Sequence, residues 1–259
     1  MTRYRRRGGA ARRIGPAVCA AVVLLAGCEG IEDAGSPAGD GSGDTAPDGR
    51  AVSPLDNPEG TGPGLAPVTG TRDRAEAVEL IARVATKGRG PRTGYDRDEF
   101  GYAWKDTADG VPLARNGCDT RNDLLRRDGQ NLRFRSGSDC VVVALTLADP
   151  YTGKTIEWHK QRAAEVQIDH VVPLSYSWQM GASRWPGDKR ERLANDTLNL
   201  IPVDGRANSA KGDSGPASWL PPAKGVRCAY AVRFAQVALA YEMPVTPADR
   251  RAMLRQCGG

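Results

Sequence analysis

Histidine is scarce in this 259-residue chain: there are two, His159 and His170. Any site that needs an imidazole must draw on one of them. CxxC spacing is absent, which disfavours a zinc ribbon or a thioredoxin-like redox motif. A membrane-spanning run is missing too, because the apolar stretch Ile14 to Gly27 is too short to cross a bilayer. Residues 29–72 have almost no aliphatic pairs and are dominated by Gly, Pro, Ser, Asp and Ala, a composition that predicts a disordered tether.

The leader is the first positive feature. Arg3, Arg5, Arg6, Arg7, Arg12 and Arg13 precede the short apolar run, which ends Leu25-Ala26-Gly27-Cys28. Basic, apolar, then small residues is the order of a secretory signal, and the ending resembles a bacterial lipobox. Residues 1–27 are therefore expected to be a lipoprotein signal peptide, with Cys28 as the lipidated first mature residue. Ordinary cleavage nearby, followed by release, is the alternative. Either outcome places the domain outside the cytoplasm, at the membrane or secreted.

The formal charge of +5 divides unevenly. Residues 28–72 are strongly acidic, whereas 73–259 carry an excess of Lys and Arg, which suits a polyanionic partner without demanding one. Cys19 lies in the leader and Cys28 at its end, leaving Cys118, Cys140, Cys228 and Cys257. Four cysteines in an oxidising compartment suggest two disulfides. Proximity favours Cys118 with Cys140 and Cys228 with Cys257, although three pairings are possible.

Along the domain, Arg72 to Thr86 has helical apolar spacing with Asp73 as its expected cap. Gly94 to Asp109 is aromatic and charged without a clear period; it reads as a core-edge loop, or as a groove wall able to stack on bases. A short helix over Asn116–Asp128 is expected with Thr120 as N-cap and Asp123 three residues on. Strands follow over 132–134, 141–147 and 155–158, and two helices over 226–243 and 246–256 close the chain.

The chemistry concentrates in Glu165 to Lys211. An apolar strand carries Asp169 and His170 and is stopped by Pro173; after two helices, Leu198 to Val203 forms a second strand, and Arg206 to Lys211 starts a helix. Neighbouring side chains of a regular strand face opposite ways, so a break at Pro173 is expected to let Asp169 and His170 address one centre. Asp169-His170, Asn199 and Asn208, with IDHVVPLSYSW, the AND-x-x-NL block and N-x-x-KGD, resemble the HNH (ββα-metal) endonucleases. The likeness is closest to the C-terminal nuclease domain of GmrSD-type restriction enzymes and their secreted relatives.

The resemblance implies an α+β fold: a ββα-metal finger, with its motif core over residues 165–222, embedded in a mostly helical, disulfide-stapled domain spanning 73–259. It implies an extracytoplasmic endonuclease that hydrolyses phosphodiester bonds of nucleic acid, DNA in the first instance, with one divalent cation, Mg2+ or Mn2+. His170 would be the general base, Asn199 would orient its ring, and Asp169 and Asn208 would ligate the metal. Arg192 would offset transition-state charge, and Arg190 and Lys211 would contact phosphate. No protein partner is implied, and the membrane enters through the lipid on Cys28.

Two rivals come from different classes. One is a surface lipoprotein that binds nucleic acid without cutting it. The other is a serine hydrolase, because Gly212-Asp213-Ser214-Gly215-Pro216 resembles the segment around a serine-protease nucleophile. Ser214 would need a His partner, and neither histidine lies in the Ala-Ala-His-Cys setting such enzymes use, so the segment reads as a turn.

Overall fold

A computed structural model of the chain describes residues 51–258. The leader, Cys28 and the acidic stretch up to residue 50 lie outside the described residues. The fold is α+β, with a three-stranded sheet, a two-stranded sheet and seven α-helices among the described residues. None of these helices is long and apolar enough to cross a membrane.

Helix α6 (Arg227–Ala240) is the hub of the larger core. Eleven consecutive residues, Cys228 to Ala238, are buried, so it is covered on every side rather than along one stripe. Helices α1 (Thr71–Ala82) and α7 (Pro247–Cys257) pack against it. The Cys228–Cys257 disulfide pins α6 to α7 with Cα atoms 4.8 Å apart. Thr246 caps α7 as expected, accepting from the Asp249 N–H. Helix α1 has no side-chain cap; Gly70 stands at its start, and Asp73 lies in the first turn instead.

A smaller core lies under the three-stranded sheet. Strands β1 (Gly129–Phe134), β2 (Val142–Ala148) and β3 (Thr155–His159) form antiparallel pairs in the order β1-β2-β3. Helix α2 (Thr120–Asp128) supplies Leu124 and Leu125 to this cluster. Its N-cap is Asp119, which accepts from the Asn122 N–H, rather than the expected Thr120. Carboxylates outrank threonine at this position, and Asp119 holds the extended backbone an N-cap needs. Cys118–Cys140 staples the approach to α2 against the start of β2, with Cα atoms 5.2 Å apart. Both disulfides join the cysteines that are closest in sequence.

Between the two cores runs the two-stranded sheet of β4 (Val166–His170) and β5 (Leu200–Asp204), antiparallel with His170 opposite Leu200 and Asp169 opposite Ile201. Alternation divides it cleanly. Val166, Ile168 and Leu200 belong to the smaller core, and Ile201 and Val203 to the larger. The excursion between the strands contains α3 (Leu174–Met180) and α4 (Gly187–Asn195), and α5 (Gly205–Lys211) follows β5 directly.

The expected tether over 28–72 is corrected where the structure describes it. Residues 51–70 pack onto the domain, with Leu65 and Val68 buried in the larger core. Asn57 closes a turn by bonding Gly62 N–H and C=O at 3.0 Å each. The segment is tied down by Arg127 to the Gly60 carbonyl (2.6 Å) and Gln236 to the Pro54 carbonyl (2.6 Å). Gly60 has φ +71°, and a Cβ there would meet Leu198 Cα at 2.4 Å, so the close approach requires glycine. Composition counts turn residues; it does not reveal that they fix one path and that a few aliphatic anchors suffice to hold it.

Candidate active site

His170 ends β4 and is 8% exposed. Its Nε2 lies 2.9 Å from the Ala194 carbonyl oxygen. A carbonyl only accepts, so Nε2 carries the proton and donates, leaving the lone pair on Nδ1. Ala194 is in the last turn of α4, where carbonyls have no partner within the helix. The imidazole stacks on Trp104 with ring centroids 6.3 Å and planes 20° apart. Burial, reinforced by Arg97 and Lys211 and opposed by the Ala194 contact, pushes its pKa down to about 3. The ring is therefore neutral at physiological pH.

Asn199 does not touch that ring. Its Oδ1 accepts from the Val172 N–H (2.8 Å), and its Nδ2 donates to the carbonyls of Val172 and Leu193 (both 3.3 Å). Its backbone carbonyl accepts from the Val171 N–H. The expected orienting role is thus moved by one step: Asn199 clamps the chain just after His170 to the end of α4, and Ala194 holds the imidazole.

Asp169 points to the opposite face of β4 from His170, because the strand stays regular through His170; the break expected before Pro173 does not turn the two side chains together. The Asp169 Oδ1 accepts from Lys211 Nζ at 2.9 Å and its Oδ2 from the Tyr151 hydroxyl at 2.5 Å. Lys211 is 1% exposed and also donates to the His170 carbonyl at 2.7 Å. Burial raises the Asp169 carboxyl and lowers the Lys211 ammonium, and their contact works against both shifts. Lys211 is therefore corrected from a surface phosphate contact to the buried counter-ion of Asp169.

A cavity of about 380 Å3 is lined by Asp169, His170 and Asn208 together with Arg92, Arg97 and Asp213, although the Asp169 and His170 side chains leave β4 on opposite faces. Asn208 donates its Nδ2 to Gln167 Oε1 at 2.9 Å, a bond that does not use its Oδ1 acceptor. Each Asp169 oxygen has accepted one hydrogen bond and retains a second lone pair. These hard oxygen donors fit Mg2+ or Mn2+ better than a softer metal. Among the described residues there is no cluster of three or more His, Cys, Asp or Glu able to hold a metal. A cation here would depend on Asn208, water and substrate for the rest of its shell.

The other expected cations are elsewhere. The Arg190 guanidinium donates to Glu99 O (2.7 Å), Trp185 O (2.6 Å) and Glu99 Oε2 (3.0 Å), so it serves as a strut. Arg192 donates from Nε to the Asp109 carbonyl at 2.9 Å and does not line the His170 cavity. Their places at the cavity are taken by Arg92 and Arg97, which sequence reasoning missed; the dense charge of Arg92 to Glu99 was the available signal. Ser214 is not among the cavity-lining residues, and its N–H closes a turn on the Lys211 carbonyl.

Residues 119–256 match the family model described as "GmrSD restriction endonucleases, C-terminal domain". The chain is also 39% identical over 186 residues to an "Uncharacterized secreted protein" of Arthroderma benhamiae, an alignment covering 70% of this chain and 84% of the relative. No solved structure matches.

Proposed function

The chain belongs to the family of GmrSD restriction endonuclease C-terminal domains, and from that premise we propose that it is an extracytoplasmic, divalent-metal-dependent endonuclease that hydrolyses phosphodiester bonds of DNA. β4, β5 and α5 serve in this reading as the ββα-metal finger. The observation that carries the reading is the imidazole of His170, held by the Ala194 carbonyl and stacked on Trp104, in a cavity that Asp169 and Asn208 also line.

His170 receives the proton of the attacking water at Nδ1, while the Ala194 carbonyl stabilises the charge that the ring then acquires through its Nε2–H. Arg92 and Arg97 line the cavity and would supply positive charge to a phosphate bound there. Asp169 and Asn208 would hold the cation, which when bound supplies Lewis-acid charge to the phosphate and leaving oxygen. Asn199 keeps the Val171–Val172 backbone, and with it His170, in register with α4. Two disulfides and a relative described as secreted support action outside the cytoplasm.

Purified protein incubated with supercoiled plasmid and Mg2+ or Mn2+ is expected to nick and linearise it, to stop in EDTA, and to lose about 100- to 10,000-fold in rate on His170→Ala. Undiminished cutting by His170→Ala overturns the assignment of the base.

A further inference from the structure

A second cavity, of about 440 Å3, is lined by Tyr102, Trp104, Arg121, Leu125, Trp158 and Lys160 with others. Its size falls in the range of small-ligand sites, roughly 300–1,000 Å3. Trp104 connects this cavity to the candidate base, because the same indole that stacks on His170 also lines it.

Three features of this cavity are costly to the fold alone. Trp158 is 2% exposed, yet its indole N–H has no hydrogen-bond partner. A buried donor left unpaired is destabilising unless a ligand supplies the acceptor. Tyr102 is 82% exposed, an unusual position for a large aromatic ring. Trp104 holds φ +60°, a left-handed backbone that a bulky residue rarely adopts. Strain, an exposed ring and an orphaned donor therefore converge on one lining, with the cations Arg121 and Lys160 beside them.

We infer that this cavity takes one unstacked nucleobase of the strand being cut, held against the rings of Tyr102 and Trp104 and accepting a hydrogen bond from Trp158 Nε1. The chemistry selects the class. A nucleobase is a planar π-system whose edge carries carbonyl and ring-nitrogen acceptors, and Arg121 and Lys160 suit the phosphates that flank it. The inference rests on the nuclease reading of His170, because Trp104 then joins the reacting phosphate to the base beside it.

The test is binding of a fluorescently labelled single-stranded DNA oligonucleotide, followed by anisotropy in EDTA at fixed salt, against an abasic oligonucleotide of the same length. Wild type is expected to prefer the intact strand by about tenfold, toward the lower end of what base–aromatic stacking provides. Tyr102→Ala, at an exposed position that the fold tolerates, should lose that preference while binding the abasic strand as wild type does. Trp158→Phe should lose about three- to fivefold, provided its circular dichroism and melting match wild type. Equal wild-type affinity for intact and abasic strands, or an unaltered Tyr102→Ala, overturns the base site. If base-independent binding accompanies plasmid cutting that His170→Ala abolishes, the base site alone fails. Base-dependent binding that Tyr102→Ala abolishes, with cutting undiminished in His170→Ala, upholds the site and overturns the catalytic assignment.

Discussion

The two sheets of this domain use the same strand periodicity for opposite purposes. In the three-stranded sheet, β1 and β3 expose most of their residues and the apolar ones sit on a single small cluster. In the two-stranded sheet, nearly every residue of β4 and β5 is buried, and the side chains there include Asp169, paired with Lys211 of α5, and a histidine. Burying apolar groups stabilises at about 25 cal/mol per Å2, whereas burying charge costs unless it is paired and hydrogen-bonded. The second sheet is therefore held by its surroundings, α4, α5 and Tyr151, and would not persist as an isolated hairpin.

The largest predicted effect breaks that contrast at its centre. Lys211→Met leaves the Asp169 carboxylate buried with only Tyr151 as partner, and should cost about 3–5 kcal/mol in guanidinium unfolding. The double variant Lys211→Met, Asp169→Leu should recover much of that loss while remaining inactive. An unchanged unfolding midpoint in the single variant would show that the pair is not what holds β4 to α5.

Acid titration sharpens the contrast, because the two regions respond with opposite sign. In the two-stranded sheet, His170 has its pKa depressed to about 3 by burial. Its neutral burial contributes stability above the unfolded value of about 6.5, lost as pH falls toward 3, with a slope of at most about 1.4 kcal/mol per pH unit. In α2, beneath the other sheet, burial raises the Asp123 carboxyl to about 6, against the Asn116 hydrogen bond. That contribution is present below about 3.9 and is lost as pH rises through 6. Unfolding measured in EDTA across this window should lose its acid slope in His170→Ala and steepen in Asp123→Asn; a His170→Ala profile parallel to wild type would contradict the neutral burial of the ring.

The smallest effect tests the helix under the exposed sheet. Asp119→Ala should destabilise by about 1 kcal/mol as a lost N-cap, and Thr120→Ala by clearly less. Thermal melts that reverse this order would restore Thr120 as the cap.

Much of the site could be read in advance where local sequence decides the outcome. The order strand, excursion, strand, helix was legible from apolar runs, Pro173 and Asp204-Gly205, because these act within a few residues. The burial of Lys211 was not, since a lysine in a short polar helix looks solvated until its partner is known. Nor was Ala194: a backbone carbonyl carries no residue-type signal, although the end of a helix always leaves such acceptors. Arg92 and Arg97 were hidden for a third reason. They are some seventy residues from His170 in sequence, and only folding brings their loop to the cavity.

What the sequence determined by itself was the chemistry on offer: four cysteines, enough for two disulfides, and one histidine beside an aspartate in an ordered block with Asn199 and Asn208. Each of these is written in residue type and short-range spacing. What the tertiary structure decided was which groups meet. Asp169 found Lys211 and Tyr151, His170 found Ala194 and Trp104, and the glycine- and proline-rich segment from residue 51 found the core. Such pairings depend on desolvation and on contacts between residues far apart in the chain, and neither is a property of any local stretch.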